Sequence, residues 1–203
     1  MTKLLSKKRL VLLAAGLVVA AGLATFAAGY GQRLIEPNQQ PPAAAAPSAP
    51  SAPGFTEFIQ PQPGFALSYP AAWARLPSPD PQVPLLASNR AGFSMQARVL
   101  SLQTAIGPAQ LDAVQQFTDR VVKSNSSVKV LVGPQKINLG GLPGYFYFYT
   151  FTDPSTGQPG AHSHFFLFKG TTMIALVFQA VPADTFQAGS GTFDQITASF
   201  RSF

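Results

Sequence analysis

The chain has no cysteine among its 203 residues. Disulfide bonds, thiolate metal sites and a cysteine nucleophile are therefore excluded, as is the lipid-modified cysteine of bacterial lipoproteins. Histidine is scarce, with two residues. Charged residues make up 11% of the chain, whereas about 25% is usual for soluble domains. Since 46% of the residues are hydrophobic, we expect the chain to fold rather than to remain disordered.

The net charge of +6 is concentrated near the N-terminus. Residues 1–53 contain five Lys/Arg and one Glu, whereas the rest of the chain contains nine Lys/Arg and seven Asp/Glu. Binding to nucleic acid needs clustered basic side chains that neutralise consecutive phosphates, and the sequence beyond residue 53 has no such cluster. We therefore expect no nucleic-acid partner.

A long uncharged segment follows a short basic flank. Residues 1–9 contain three Lys and one Arg, and residues 10–31 contain no charge. About 20 helical residues span the ~30 Å hydrocarbon core of a bilayer, and a basic flank stays in the cytoplasm. The sequence therefore predicts a single-pass anchor at 10–31 with the rest of the chain extracytoplasmic. The alternative is a signal peptide, cleaved near Ala27-Ala28-Gly29, that leaves a secreted protein.

Residues 32–63 are rich in proline, alanine, serine and glutamine. Such a composition buries no core, and proline favours extended, semi-rigid chain. This segment is predicted to be a linker, with Phe55 and Phe58 as its first contacts with the folded part. A single domain is then predicted for residues 64–203.

The domain sequence favours an α+β fold, an antiparallel sheet flanked by helices. Alternating apolar residues predict strands, and apolar residues three and four apart predict a helix over 108–123. A capping pattern, Thr192-x-x-Gln195, predicts the start of a second helix. Because consecutive strands with short turns pair antiparallel, the helices should pack against one sheet. The predicted strands are 65–69, 85–88, 93–100, 128–139, 145–152, 162–168 and 172–180.

One stretch resembles a known family. The run Gly64-Phe65-Ala66-Leu67-Ser68-Tyr69-Pro70, followed by Trp73, resembles the opening of PsbP-like domains. The C-terminal Phe193-x-x-Ile196-x-x-Ser199-Phe200 also fits this family. The chain looks most similar to exported, proline- and alanine-rich actinobacterial proteins of the LpqN type. The resemblance implies an α/β/α sandwich over residues 64–203 and a non-catalytic accessory or binding role, and it supplies no catalytic residues.

His162 and His164 are the most suggestive candidates for metal ligation. On a strand they point to one face, which suits two ligands of a metal ion. A third ligand would have to come from elsewhere, with Asp153 and Asp184 as the candidates. No third ligand has a diagnostic spacing, so we predict no metal and no cofactor.

Hydrolytic chemistry has little support in the sequence. Ser163 lies between the two histidines and therefore points to the opposite face of the strand. The chain has no G-x-S-x-G motif, and Gly189-Ser190-Gly191 is interpreted as a flexible entry to the last helix. We expect no catalytic centre.

The most unusual pattern is an aromatic strand. Tyr145, Tyr147 and Tyr149 share one face, and phenylalanines occupy the other. If Tyr149 pairs with His164, these tyrosines and both histidines form one continuous surface. That surface is either a structural layer beneath a helix or a groove that binds a partner or ligand. As a contact site it comprises Tyr145, Tyr147, Tyr149, His162 and His164.

Together these features predict a membrane-tethered, extracytoplasmic binding domain that recruits or stabilises an envelope protein complex. Two alternatives stay open. A carrier of an apolar envelope ligand predicts a cavity lined by Phe146, Phe148, Phe165 and Val177. A hydrolase of envelope glycans or lipids predicts a contact between a histidine and a serine or aspartate beside a cleft.

Overall fold

The computed structural model describes residues 15–16, 52–154 and 156–203. The helices in these ranges are α1 (Leu111–Val122) and α2 (Phe186–Ala198), each preceded by a short 3₁₀ turn. The strands are β1 (Ala15–Gly16), β2 (Phe55–Gln60), β3 (Phe65–Pro70), β4 (Ala74–Arg75), β5 (Leu85–Ser88), β6 (Phe93–Ile106), β7 (Lys129–Leu139), β8 (Leu142–Pro154), β9 (Pro159–Ala180) and β10 (Arg201–Ser202).

The described strands form two antiparallel sheets. The larger sheet has the order β1-β8-β9-β6-β5-β4, and β7 also pairs with β8. The smaller sheet has the order β10-β3-β2. Strands joined by short turns lie side by side, whereas β6 pairs with β9, with two strands between them in the chain. The predicted α+β architecture, an antiparallel sheet with helices packed against it, is thus present.

Strand β9 reverses direction within its length. Its first part pairs with β8 and its last part pairs with β6. The rings of Phe165 and Phe178 lie 5.9 Å apart, although 13 residues of straight strand would separate them by about 43 Å. The side chains of His162 and Gln179 are also in contact, at 2.8 Å. The segment is therefore a hairpin that turns near Gly170, as the two predicted strands 162–168 and 172–180 require.

Both faces of the large sheet are covered. One face packs against α2 and the smaller sheet through a core that includes Phe146, Phe148 and Phe193. The opposite face packs against α1 through a second core that includes Tyr145, Tyr147 and Leu111. Because each face is buried, β8 carries aromatic side chains on both sides. The layers are helix on one side, sheet in the middle, and helix with a small sheet on the other side.

Helix α1 occupies most of the predicted range 108–123. Pro108 begins the preceding 3₁₀ turn, where the missing N–H of proline costs no helical hydrogen bond. The buried side of the helix consists of Leu111, Val114, Thr118 and Val122. Val121, predicted to face the core, is instead 36% exposed.

Helix α2 begins at Phe186, six residues before the predicted cap at Thr192. The Gly189-Ser190-Gly191 segment therefore lies inside the helix rather than at its entry. A Cβ atom at residue 189 would lie 3.1 Å from Phe93, so the glycine lets the helix approach the sheet closely. Burial of Phe186 and Phe193, both fully buried, offsets the cost of about 1 kcal/mol for an interior glycine.

Part of the predicted linker is folded. Residues 55–60 form β2, which pairs along its whole length with β3. Phe58 is 7% exposed and lies 6.0 Å from Phe65, ring to ring. The folded unit thus includes the end of the segment predicted as linker, because its aromatic side chains have a core to enter.

The predicted basic flank 1–9, the linker residues 32–51 and most of the predicted anchor 10–31 lie outside the described residues. Two residues of the predicted anchor, Ala15 and Gly16, form β1 and pair with Pro154 and Asp153 of β8. In the described ranges, no helix is long and apolar enough to cross a bilayer.

The start of β3 and the last residues of the chain meet at the tip of the β9 hairpin. Lys169 Nζ donates hydrogen bonds to the carbonyl oxygens of Pro63 (2.7 Å) and Gly64 (2.9 Å) and also to that of Phe203. Gly64 has a φ of +87°, and a Cβ atom there would lie 2.4 Å from the Phe203 carbonyl oxygen. Only glycine fits this junction without strain.

Candidate functional site

The predicted tyrosine and histidine side chains do share one face of the sheet. Tyr147 lies opposite His164 and Tyr149 lies opposite His162. The predicted pairing of Tyr149 with His164 is therefore displaced by two residues. Because side chains alternate with a period of two, this displacement leaves every member on the predicted face.

Helix α1 covers the tyrosine half of this face. Tyr145 and Tyr147 are 1% and 0% exposed. The Tyr145 hydroxyl donates to the Leu111 carbonyl oxygen at 3.0 Å. The Tyr147 hydroxyl lies 2.7 Å from Thr118 Oγ1 and 3.1 Å from Asp119 Oδ1. These tyrosines thus anchor α1 to β8, and a partner reaches them only if α1 moves.

The histidine half of the face holds a continuous hydrogen-bonded cluster. The Tyr149 hydroxyl lies 3.1 Å from Nδ1 of His162 and 3.1 Å from Nδ1 of His164. Nε2 of His162 lies 2.8 Å from Oε1 of Gln179. Phe151 packs on the His162 ring and Phe166 stacks on the His164 ring, each at 4.0 Å between centroids. We call Tyr149, His162, His164 and Gln179 the histidine–tyrosine cluster.

Burial keeps this cluster uncharged at neutral pH. Burial lowers the pKa of His162 to about 4, although its hydrogen bond to Gln179 acts in the opposite direction. Burial also lowers the pKa of His164 well below its ordinary value of 6.5, and the charges of His162 and Arg98 add to this. For the Tyr149 phenol, burial raises the pKa. Both imidazoles and the phenol are therefore neutral at pH 7.

The described residues contain no group of three or more His, Cys, Asp or Glu side chains that could hold a metal ion. Neither Asp153 nor Asp184 joins the two histidines in such a group. The histidine nitrogens that face each other are both used by the Tyr149 hydroxyl. The two histidines considered above as metal ligands are thus hydrogen-bonding groups in this structure.

Ser163 lies on the opposite side of β9 from the histidines, as its position between them predicts. It is fully buried opposite Phe148, and its Oγ has no hydrogen-bond partner among the described residues. No contact in this part of the chain joins a serine hydroxyl to an imidazole. The arrangement supplies neither the nucleophile–base contact nor the orienting group of a hydrolytic triad.

The phenylalanines predicted to line an apolar cavity pack against one another and their neighbours. Phe146 lies 5.0 Å from Phe165, and Phe148 lies 4.8 Å from Phe186, between ring centroids. Val177 lies opposite Gln96 and does not belong to this aromatic core. These contacts form a packed core at the place where the carrier hypothesis expects a cavity.

Large exposed apolar side chains occur mainly on the small sheet. Ile59 is 50% exposed and Phe203 is 52% exposed. Ile59 and Arg201 both lie opposite Ala66 and therefore share the outer face of this sheet. Phe203 follows two residues after Arg201, and its N–H bonds to the Gly64 carbonyl oxygen, which continues the ladder. The two apolar side chains thus lie on one surface, the small-sheet face.

Sequence reasoning did not identify Gln179, Thr118 or Lys169 as members of these contacts. Thr118 had only its position as a signal, since it lies four residues after Val114 and seven after Leu111 on the predicted helix, and a count of apolar residues passes over it. Gln179 and Lys169 had no such signal in the sequence, since their hydrogen-bond partners depend on how the two arms of the β9 hairpin pair and pack.

The residues that carried the family resemblance have structural roles. Trp73 packs edge-on against Phe193 of α2 at 6.3 Å. Phe65 stacks on Phe200 at 5.8 Å. Together with Gly64 at the Lys169 junction, they connect the small sheet to the C-terminal helix. The motif therefore identifies a fold and not a chemical site.

Neither a protein-family model nor a curated protein matches this chain. Solved structures do match. The solution structure of cyanobacterial PsbP (CyanoP) from Synechocystis sp. PCC 6803 matches with a TM-score of 0.57 and 11% identity, covering 78% of this chain and 98% of that one. LpqN of Mycobacterium tuberculosis, described as involved in cell envelope biogenesis, matches with a TM-score of 0.52 and 17% identity, covering 72% and 90%. The Saccharomyces cerevisiae Ran-binding protein Mog1p matches with a TM-score of 0.50 and 8% identity, covering 73% and 95%.

Proposed function

We propose, from the PsbP-like fold that this chain has in common with LpqN, that it is an extracytoplasmic accessory domain that binds a protein of the cell envelope. LpqN is described as involved in cell envelope biogenesis, and Mog1p is described as Ran-binding. The second description supports a protein partner, because it associates this fold with the binding of a protein.

The location outside the cytoplasm, with attachment to the membrane, is supported by the sequence of the first 31 residues. The basic flank and the uncharged residues 10–31 have the pattern of a single-pass anchor. Insertion of this segment would replace the two-residue pairing of β1 with β8. Cleavage after export would give the secreted form of the same domain. A tether near the membrane raises the effective concentration of the domain for envelope partners.

The observation that carries a binding role, rather than catalysis, is how the histidines are used. The chain has two histidines, and both are in the buried histidine–tyrosine cluster. They are held neutral among aromatic rings, with no serine or carboxylate contact among the described residues. Histidines in this arrangement stabilise the sheet, and contacts with a partner are then made by side chains on the surface.

Two surfaces compete as the contact site. In the predicted face, Tyr145, Tyr147, Tyr149 and His164 are buried, whereas His162 is partly exposed. A partner must displace α1 to touch the tyrosines that the helix covers. The small-sheet face already presents Ile59 and Phe203 to solvent. Burial of such side chains is the main favourable term in most protein association. We favour the small-sheet face.

Chemical crosslinking and capture of the full chain from its own membranes tests this proposal. The comparison uses the unaltered chain, Ile59→Glu, and Val121→Glu as the control, because Val121 is an exposed apolar residue on α1. We expect one crosslinked partner that is lost with Ile59→Glu and retained with Val121→Glu. Loss with Val121→Glu alone would move the contact to α1. No specific partner with any variant, together with turnover of an envelope substrate, would contradict the binding role.

A further inference from the structure

The direction of each hydrogen bond in the histidine–tyrosine cluster follows from Gln179, at one end of the cluster. Oε1 of Gln179 is an acceptor, so Nε2 of His162 carries the proton that it receives. Nδ1 of this neutral imidazole is then an acceptor, and the Tyr149 hydroxyl donates to it. The Tyr149 oxygen can accept one more bond, which Nδ1–H of His164 donates. The two histidines therefore hold opposite tautomers.

This leaves Nε2 of His164 as an unprotonated acceptor. The His164 side chain is 7% exposed, and this nitrogen has no hydrogen-bond partner among the described residues. Burial and the positive charge of Arg98 keep the ring neutral. The free lone pair lies at one end of the chain of hydrogen bonds, and Gln179 lies at the other end.

We propose that His164, Tyr149 and His162 act as one proton-binding unit, which takes up a single proton on acidification, places the charge on His162, and so opens this end of the sheet. The proton binds to Nε2 of His164. The Nδ1 proton of His164 passes to the Tyr149 oxygen, and the Tyr149 proton passes to Nδ1 of His162. His162 becomes an imidazolium that still donates to Gln179, and His164 ends as the neutral Nε2–H tautomer. The two hydrogen bonds of the Tyr149 hydroxyl are kept with their directions reversed. The bond from His162 to Gln179 is unchanged.

The surrounding charges explain why uptake stops at one proton and why it favours opening. Arg98 of β6 contributes a positive charge, and its ion pair with Asp80 already engages that carboxylate. On α1, Asp119 is engaged by Tyr147 and by Lys123. Asp153 lies four residues beyond Tyr149 on β8 and has contacts of its own. A charge on His162 thus lacks a dedicated partner, and a second charge on His164 would face two cations.

Opening is the expected response because His162 is the most accessible imidazole of the unit. It is partly exposed, whereas His164 is buried. Local separation of the end of β8 from the start of β9 would hydrate the imidazolium at the expense of its contact with Phe151. The change would expose part of the predicted tyrosine–histidine face. This inference does not depend on the identity of a partner.

Nitrogen NMR of the full chain with ¹⁵N-labelled histidine tests the proposal, since the two histidines are the only ones in the protein. At neutral pH we expect one Nε2–H and one Nδ1–H tautomer. On acidification, one imidazolium should form while the other ring changes tautomer at the same midpoint. Two identical tautomers at neutral pH, or two independent titrations near pH 6.5, would overturn the proposal.

Two variants separate the coupled unit from a pair of merely buried histidines. Tyr149→Phe removes the bridge, so the tautomer change of one ring should no longer follow protonation of the other. Tyr145→Phe, which loses a hydroxyl on the same strand, should leave the coupling intact. Gln179→Glu places a carboxylate beside His162 and should raise the shared midpoint by one pH unit or more. If Tyr149→Phe does not fold, Gln179→Glu decides alone: a shift in the protonation of His162 without the same shift in the tautomer change of His164 would contradict the proposal.

Discussion

The hydroxyl oxygen of Tyr147 lies 2.7 Å from Oγ1 of Thr118, at the centre of the contact between β8 and α1. Thr118 Oγ1 also bonds to the Gln115 carbonyl oxygen, and the Tyr147 hydroxyl also reaches Asp119. Burial raises the pKa of Tyr147, so the phenol keeps its proton and holds the helix at any physiological pH.

Removal of the Tyr147 hydroxyl should loosen α1 from the sheet. We expect Tyr147→Phe to lower the free energy of unfolding by about 1–2 kcal/mol, because a buried hydrogen-bond pair is lost while the ring stays. Urea unfolding can be followed through the fluorescence of Trp73, the one tryptophan. Tyr69→Phe is the comparison, since no side-chain hydrogen bond of Tyr69 is found in the described part of the chain. Equal effects of the two changes would argue against the role given to Tyr147.

Removal of the Ser163 hydroxyl, unlike removal of the Tyr147 hydroxyl, should not lower the free energy of unfolding. The Ser163 hydroxyl is buried in the aromatic core without a partner among the described residues, so it has lost its hydration without gaining a bond. Ser163→Ala should leave the free energy of unfolding unchanged or raise it by up to about 1 kcal/mol. Thr118→Ala, which removes a bonded hydroxyl, should lower it by about 1–2 kcal/mol. A clear loss of stability in Ser163→Ala would show that this hydroxyl has a partner after all.

Lys169 joins three carbonyl groups at the junction of the small sheet and the β9 hairpin. Lys169→Met keeps the length of the side chain but removes the ammonium donors, so we expect a loss of roughly 2 kcal/mol. Amide exchange at the start of β3 and at β10 should accelerate more than exchange in β8. Lys169→Arg should retain part of the stability. Uniform acceleration across the domain would mean that the junction is not a local feature.

The histidines make stability depend on pH in a definite direction. Burial lowers the pKa of folded His162 to about 4, below the ordinary value of 6.5. Between these values the unfolded chain binds more protons, so the free energy of unfolding should fall as the pH drops from 6.5 to 4. The fall due to this group is on the order of 3 kcal/mol at most. His162→Gln should remove the part of the slope that is due to His162, while His164, whose pKa is also lowered, keeps its own part. An unchanged slope would contradict the role given to His162.

The faces of the strands could be read from the sequence because alternation has a period of two. Tyr145, Tyr147 and Tyr149 share the predicted face with His162 and His164, although the predicted pairing was displaced by two residues. A displacement by one residue would have moved them to the other face. The order of strands and helices was predictable for a similar reason, since short turns leave few topologies.

The packing of α1 over the tyrosine half of that face could not be predicted from the sequence. The spacing of apolar residues on α1 predicted Phe117 and Val121 as core residues. Phe117 is partly buried against the core, whereas Val121 is exposed and the buried residues include Thr118 and Val122. The hydroxyl of Thr118 meets that of Tyr147, a partner 29 residues away along the chain, so spacing within the helix does not reveal this contact. Strand β2 was missed because proline and alanine dominate the composition of its neighbourhood, although its own FTEFIQ is strand-like.

Labelling of a single cysteine in intact cells tests most directly whether the folded domain lies outside the cytoplasm. The chain has no cysteine, so Ser126→Cys, in the exposed loop after α1, introduces a single reactive site. A membrane-impermeant maleimide should label Ser126→Cys without lysis, whereas Ser6→Cys in the basic flank should react only after lysis. Labelling of Ser126→Cys only after lysis would place the domain in the cytoplasm and contradict the account.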